Sequence, residues 1–113
     1  MITRYAEFVG VIHAGRENDF YAFVEERLVP LWTKFEGATA VSVSREVSRD
    51  EGAPSMPLLL AISYPDEAAL ERAMGCDARF RSREETQALL TMFDGTIFHR
   101  VTRQSSYEVR KAD

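Results

Sequence analysis

Cysteine is all but absent: Cys76 is the only one in 113 residues. A lone thiol forms no intramolecular disulfide and no Cys-based zinc site. Histidine occurs only as His13 and His99. Two imidazoles with no Asp or Glu at ligand spacing leave a metal shell incomplete, so no metal is expected. No apolar run approaches the ~20 residues that a spanning helix needs, so no membrane partner is expected. The opening MITRYAEFVGVIHAG is too short in its apolar part and too regularly alternating for a signal peptide, which makes the cytoplasm the expected compartment. With a net charge of −4 and basic residues interleaved with acids, the clustered cationic face that nucleic acid requires is also lacking. Arg100, Arg103, Arg110 and Lys111 gather near the C-terminus, as a solvated tail does. No Gly-rich phosphate loop, Ser-His-Asp spacing or dinucleotide fingerprint occurs, so no cofactor is expected.

What is present is the composition of an ordinary folded domain, 45% hydrophobic and 28% charged. The chain is organised around PLLLAISYPDEAALERAM, residues 57–74. Leu58, Leu59, Leu60, Ala61 and Ile62 form a continuous apolar run, which predicts a central strand buried on both faces. Pro65 ends it and Asp66 or Ser63 is positioned to cap a helix in which Ala68, Ala69, Leu70, Ala73 and Met74 share one face.

Upstream, residues 4–13 alternate Tyr5, Glu7, Val9, Val11 and His13 against Ala6, Phe8, Gly10 and Ile12, a strand in which Gly10 marks a bulge or a close approach. After Ala14-Gly15, Phe20, Phe23, Val24, Leu28, Leu31, Trp32 and Phe35 predict a long amphipathic helix, kinked or broken near residues 27–29 by Pro30 and stopped by Gly37. Residues 39–47 alternate as an edge strand and 48–55 form a mobile hairpin loop. Downstream, residues 78–93 predict a second piece of the helical layer, with Phe80, Thr86, Leu89, Leu90 and Phe93 inward and Arg79, Arg81 and Arg83 outward. Asp94-Gly95 then predicts a turn before a last strand at 96–103. Residues 104–113 read as an arm or tail beyond a single domain at 1–103.

Strand, helix, strand, strand, helix, strand with right-handed crossovers gives an α+β, ferredoxin-like βαββαβ fold, antiparallel order 4-1-3-2, with both helices on one face. The other face is then expected to carry Phe8, Ile12 and alternate leucines of 58–60. A homodimer packed through sheet faces would cover them.

Three stretches carry a resemblance to a known group. Residues 30–37, PLWTKFEG, are similar to the helix-ending Pro-Leu…Pro-Gly stretch of the dimeric α/β-barrel proteins, and within them of the EthD-like and REDY-like small proteins. Residues 64–70, YPDEAAL, resemble that group's strand-to-helix turn, and 92–95, MFDG, its lead-in to the last strand. The resemblance implies sheets pairing into a dimeric α/β barrel. It also implies activities spanning cofactor-free oxygenases, cyclases of polyketide-like intermediates, dye-type haem enzymes and proteins of no assigned activity. Two positions depart from it. Leu28 stands where EthD-like sequences often carry His, and Asp77-Ala78-Arg79 where barrel cyclases often do.

Within this chain, His99 and His13 are the candidate general bases, on antiparallel neighbouring strands that would bring the imidazoles near one another. Sheet histidines bonded to backbone are the plain alternative. Trp32, Tyr64, Tyr5 and Phe98 are candidates to line a pocket for a small apolar ligand, against the alternative of simple core packing. Tyr64, at a strand end, has a hydroxyl that needs a partner, and Tyr64 or Arg100 is the candidate oxyanion stabiliser. Alternation places Arg100 opposite His99, so the pair of His99 with Tyr64 is preferred. The expected function is an enzyme or binding protein for an apolar aromatic or polyketide-like compound, working by cofactor-free acid–base chemistry of cyclase or oxygenase type. The alternative is a non-catalytic ligand-binding or structural dimeric module.

Overall fold

The computed structural model describes residues 1–112; Asp113, the last residue of the expected arm, lies outside them. Strands β1 (Ile2–Ile12), β2 (Ala40–Arg45), β3 (Leu58–Tyr64) and β4 (Phe93–Arg103) form one antiparallel sheet in the order β2-β3-β1-β4. This is the 4-1-3-2 ferredoxin-like order, with β1 and β3 in the middle. Helices α1 (Glu17–Phe23), α2 (Val29–Trp32), α3 (Glu67–Met74) and α4 (Asp77–Leu89) bring Phe20, Val24, Leu28, Trp32, Ala69, Ala73 and Leu89 into one core with Ala6, Phe8, Leu58, Leu60 and Ile62.

That core corrects the assignment of faces. Phe8 is paired with Leu58 on β3 and Ile97 on β4, and both Phe8 and Ile12 are buried beneath the helices rather than on the open side. By alternation the open face carries Thr3, Tyr5, Glu7 and Val9 of β1, Leu59, Ala61 and Ser63 of β3, and Phe98 and Arg100 of β4. Of the leucines only Leu59 is there. One charged residue, Arg4, stands among the inward positions of β1.

The long first helix is interrupted where Pro30 predicted it. Residues Val24–Leu28 form a π-helical turn whose widened ring sends the Val29 N–H back to the Val24 carbonyl, directly before the proline that has no N–H to offer. At the other crossover, Asp66 Oδ1 accepts from the Ala69 N–H at 2.8 Å and caps α3.

One expectation fails locally. Asp94-Gly95 is not a turn: a 3₁₀ turn at Leu90–Met92 leads straight into β4, and Gly95 lies inside that strand opposite Gly10. A side chain at Gly10 would collide with the Asp94 carbonyl, and one at Gly95 with the Val9 carbonyl. The close approach expected at Gly10 is therefore that of β4 itself. The loop 46–57 is pinned at several points: the Gly10 N–H donates to the Ser55 carbonyl at 2.8 Å, the Tyr21 hydroxyl to the Pro57 carbonyl at 3.0 Å, and the Met56 N–H to Glu46 Oε2 at 3.3 Å. Residues 104–112 lie in no helix or strand. Among the described residues no helix is long and apolar enough to cross a membrane.

Candidate functional site

Ala6 opens the site. It faces Leu60 on one side and His99 on the other in the register of β1, and its single methyl leaves space over the centre of the sheet. The space is a cavity of about 200 Å³ between sheet and helices. Its floor is built from Arg4, Ala6 and Phe8 of β1, Leu60, Ile62 and Tyr64 of β3, and Ile97 and His99 of β4. Trp32 and Phe35, at and just beyond the end of α2, supply aromatic wall. The remaining wall is α4, which presents Arg79, Ser82, Arg83 and Thr86, spaced i, i+3, i+4, i+7 on one helical stripe. This corrects the expected faces of α4: Arg79 and Arg83 border the cavity, whereas Phe80 is 48% exposed.

Tyr64 is fully buried, and its Oη has no hydrogen-bond partner among the described residues. A buried unpaired hydroxyl costs about 1–3 kcal/mol. Burial, with Cys76 adding to it and Arg4 and Arg79 acting against it, leaves the phenol pKa pushed up to about 12. Tyr64 is thus a neutral donor at any working pH. His99, partly exposed at the cavity rim, is held below its ordinary pKa by partial burial first, and then by the guanidinium groups of Arg4, Arg79 and Arg83. At neutral pH its imidazole is unprotonated, the form a general base needs. Arg4 is itself lowered by burial and by Arg79, with Tyr64 acting the other way; a guanidinium stays charged regardless.

The candidates from sequence separate into two groups. His99, Tyr64 and Trp32 meet at the cavity. His13 does not: it lies one residue past the end of β1 and seven positions from Ala6, the residue opposite His99, roughly 23 Å away at strand rise. Its Nε2 instead sits 3.2 Å from Asp94 Oδ2. The expected proximity of the two imidazoles fails because His99 pairs with Ala6 near the middle of the β1–β4 ladder, whereas His13 lies just past its end. Phe98 and Arg100 lie on the open face, bordering a shallow groove with Glu7, Val9 and Met56, and Arg100 Nε donates to Glu7 Oε1 at 3.0 Å. Tyr5 borders the cavity, but it alternates with Arg4 and Ala6, so its ring belongs to the open face and it contributes main chain.

Sequence reasoning missed Arg4, Arg79 and Arg83. Arg4 carried a signal, a charge at an inward position of a strand otherwise apolar on that side. The helix pair carried one in its i, i+4 spacing, shared with Ser82 and Thr86. Among the described residues no three His, Cys, Asp or Glu side chains gather as a metal-binding group.

No family model matches this sequence, and no curated protein matches it. Solved structures do share its fold. An EthD family protein from Bacillus halodurans superposes with a TM-score of 0.70 at 17% identity, over 93% of this chain and 99% of that one. SnoaB, a cofactor-independent oxygenase from Streptomyces nogalater, gives 0.62 at 17% identity over 94% of each chain. HapK from Hahella chejuensis gives 0.65 at 18% identity, over 97% of this chain and all of the other. At these identities the likeness establishes the fold alone, an antiparallel α+β ferredoxin-like fold.

Proposed function

We propose that this protein is a small-molecule enzyme acting on a compact, apolar aromatic compound of the polyketide-like kind by cofactor-free acid–base chemistry, of cyclase or oxygenase type. The observation that carries the reading is the composition of one cavity. An aromatic chamber holds a neutral imidazole at its rim and a buried phenol with an unused hydrogen bond. A dry apolar cavity of ~150 Å³ takes up benzene, so about 200 Å³ suits a substituted ring or a fused pair. Structures of the same fold called a cofactor-independent oxygenase and an antibiotic biosynthesis monooxygenase lend support.

In this reading His99 removes a proton from an activated C–H or O–H of the substrate, a step that typically contributes about 10²–10⁴-fold. The resulting oxyanion is met by fixed donors and by guanidinium groups that border the same chamber. Tyr64 pairs with Ile2 while His99 pairs with Ala6, so their backbones are separated by two strand spacings and four residues, roughly 16 Å. The two side chains therefore address opposite ends of a ligand. Arg4, between them in register, takes the role first considered for Arg100. The domain that carries this site is 1–103, with 104–113 as an arm. It works as a homodimer through the open sheet face.

The test is a screen by thermal shift with aromatic ketones and polyketide-like phenols, followed by turnover of each hit. His99→Ala is expected to lower turnover about 10²–10⁴-fold, and His13→Ala to leave it unchanged. Turnover that survives His99→Ala overturns the mechanism. A second reading, a non-catalytic ligand-binding or structural module, is favoured by Leu28 and by Asp77-Ala78-Arg79 standing where the sequences it resembles often carry histidine. It predicts saturable binding with no product for any hit.

A further inference from the structure

Arg16, Arg27, Arg45, Arg49, Arg100 and Arg103 each have a carboxylate within ion-pair distance. Arg4, Arg72, Arg79, Arg81, Arg83 and Arg110 have none among the described residues; of these Arg72, Arg81 and Arg110 are exposed and away from the cavity, which leaves Arg4, Arg79 and Arg83. All three border the aromatic-walled cavity described above. Like charges brought together repel one another; Arg4 and Arg79, half-buried beside apolar walls, lose hydration as well, while Arg83 is exposed, and no carboxylate among the described residues pairs with any of the three. Arg79 uses one N–H, from Nη1 to the Met74 carbonyl at 2.9 Å, which fixes the side chain at the start of α4 and leaves its remaining donors free. A second observation is independent of the charges. Tyr64, wholly buried and bordering the same cavity, has a hydroxyl with no partner among the described residues.

We propose that the ligand of this cavity binds as an anion: a compact ring compound bearing a carboxylate, whose oxygens sit among Arg4, Arg79 and Arg83 and accept the hydrogen bond of Tyr64. This names the substrate class of the site proposed above, and rests on that proposal only for the cavity being a binding site. A planar carboxylate matches the guanidinium fork, and charge-assisted bonds of this kind are about twice as strong as neutral ones. The apolar remainder of the ligand lies against Trp32, Phe35, Leu60 and Ile62. The ionised oxygen of an acidic phenol shares the same chemistry and is distinguished below.

The experiment is calorimetric binding of naphthoate, para-nitrophenolate, neutral naphthamide and inorganic phosphate to the full chain, with Arg79→Gln, Arg83→Gln and Tyr64→Phe as variants. Naphthoate is expected to bind about tenfold or more tighter than naphthamide. Each arginine variant should lose most of that preference while keeping its affinity for naphthamide. Equal affinity for naphthoate and naphthamide, no binding of naphthoate, or tighter binding of phosphate than of naphthoate each overturns the proposal. A preference for para-nitrophenolate over naphthoate overturns the carboxylate and assigns the site to phenolates. Binding as expected without turnover of any substrate leaves the anion site standing and sinks only the enzymatic reading.

Discussion

Tyr64 is the residue whose surroundings say most about the site. A phenol in the core usually spends its hydroxyl on a carbonyl, and this one does not. Replacing it with phenylalanine removes the unpaired group and keeps the ring. Tyr64→Phe is therefore expected to leave the free protein as stable as before or more stable by about 1 kcal/mol, while weakening the ligand. A clear fall in melting temperature would mean that Oη has a partner in the free protein. His99 makes the complementary case. Its pKa lies below the ordinary value because of partial burial, then Arg4 on β1 and Arg79 and Arg83 on α4. The folded state thus disfavours its proton. Its share of stability is complete above about pH 6.5, the ordinary value, and is lost as pH falls from there towards the lower folded value. The acid limb of kcat/KM should likewise lie below 6.5. Arg83→Gln, which removes one repelling cation, should move that limb upward, and a limb that stays fixed would show that the guanidinium does not act on the imidazole.

Among the elements, the pairing of β1 with β4 is the most exacting. Gly10 and Gly95 face each other, and each would drive a Cβ into the opposite backbone. Gly95→Ala is expected to cost about 3 kcal/mol or more, beyond what a surface substitution does. Chemical denaturation measures this, and a loss under about 0.5 kcal/mol, within the range of ordinary surface changes, would contradict the tight pairing. Half of this was legible: Gly10 inside an alternating strand announced a close approach, but Asp94-Gly95 spelled a turn, and only the long-range partner decided otherwise. The same division holds for the helices. Pro30 announced a break, since a missing N–H is a local fact, and the organising run at 58–62 announced a central strand. The inward stripe of α4 was hidden, because Arg79 and Arg83 read as solvent residues until the cavity beside them is known. Face assignment failed for Phe8 and Ile12 because a strand apolar on both sides does not tell which side the helices take. His99 was correctly put on a strand beside β1 and His13 falls one residue past the end of β1, and proximity depends on register, which short sequence patterns leave open.

At the scale of the whole molecule the chain is a slab of one sheet and one helical layer, with extents of 45 × 43 × 22 Å and a radius of gyration of 15.5 Å. A compact domain of this length has about 13 Å. The extended C-terminal segment, with Tyr107 and Val109 almost fully exposed, contributes to the excess. The uncovered side of the sheet carries apolar side chains at Tyr5, Val9, Leu59, Ala61 and Phe98, with the Glu7–Arg100 pair among them, Glu7 standing between Leu59 and Phe98 in register, and the Thr3–Ser63 hydrogen bond towards one end. A two-fold axis through that face would stack two such sheets and bury both strips, since an isologous patch needs only self-complementarity. Light scattering should then return twice the monomer mass at micromolar concentration. Ala61→Arg, a long cation in the middle of the strip, should return the monomer. Because the cavity lies between the sheet and helices of a single chain, that monomeric variant should still bind naphthoate. A wild-type chain of monomer mass would refute the dimer, and loss of naphthoate binding in a folded monomeric variant would show that the partner subunit completes the site.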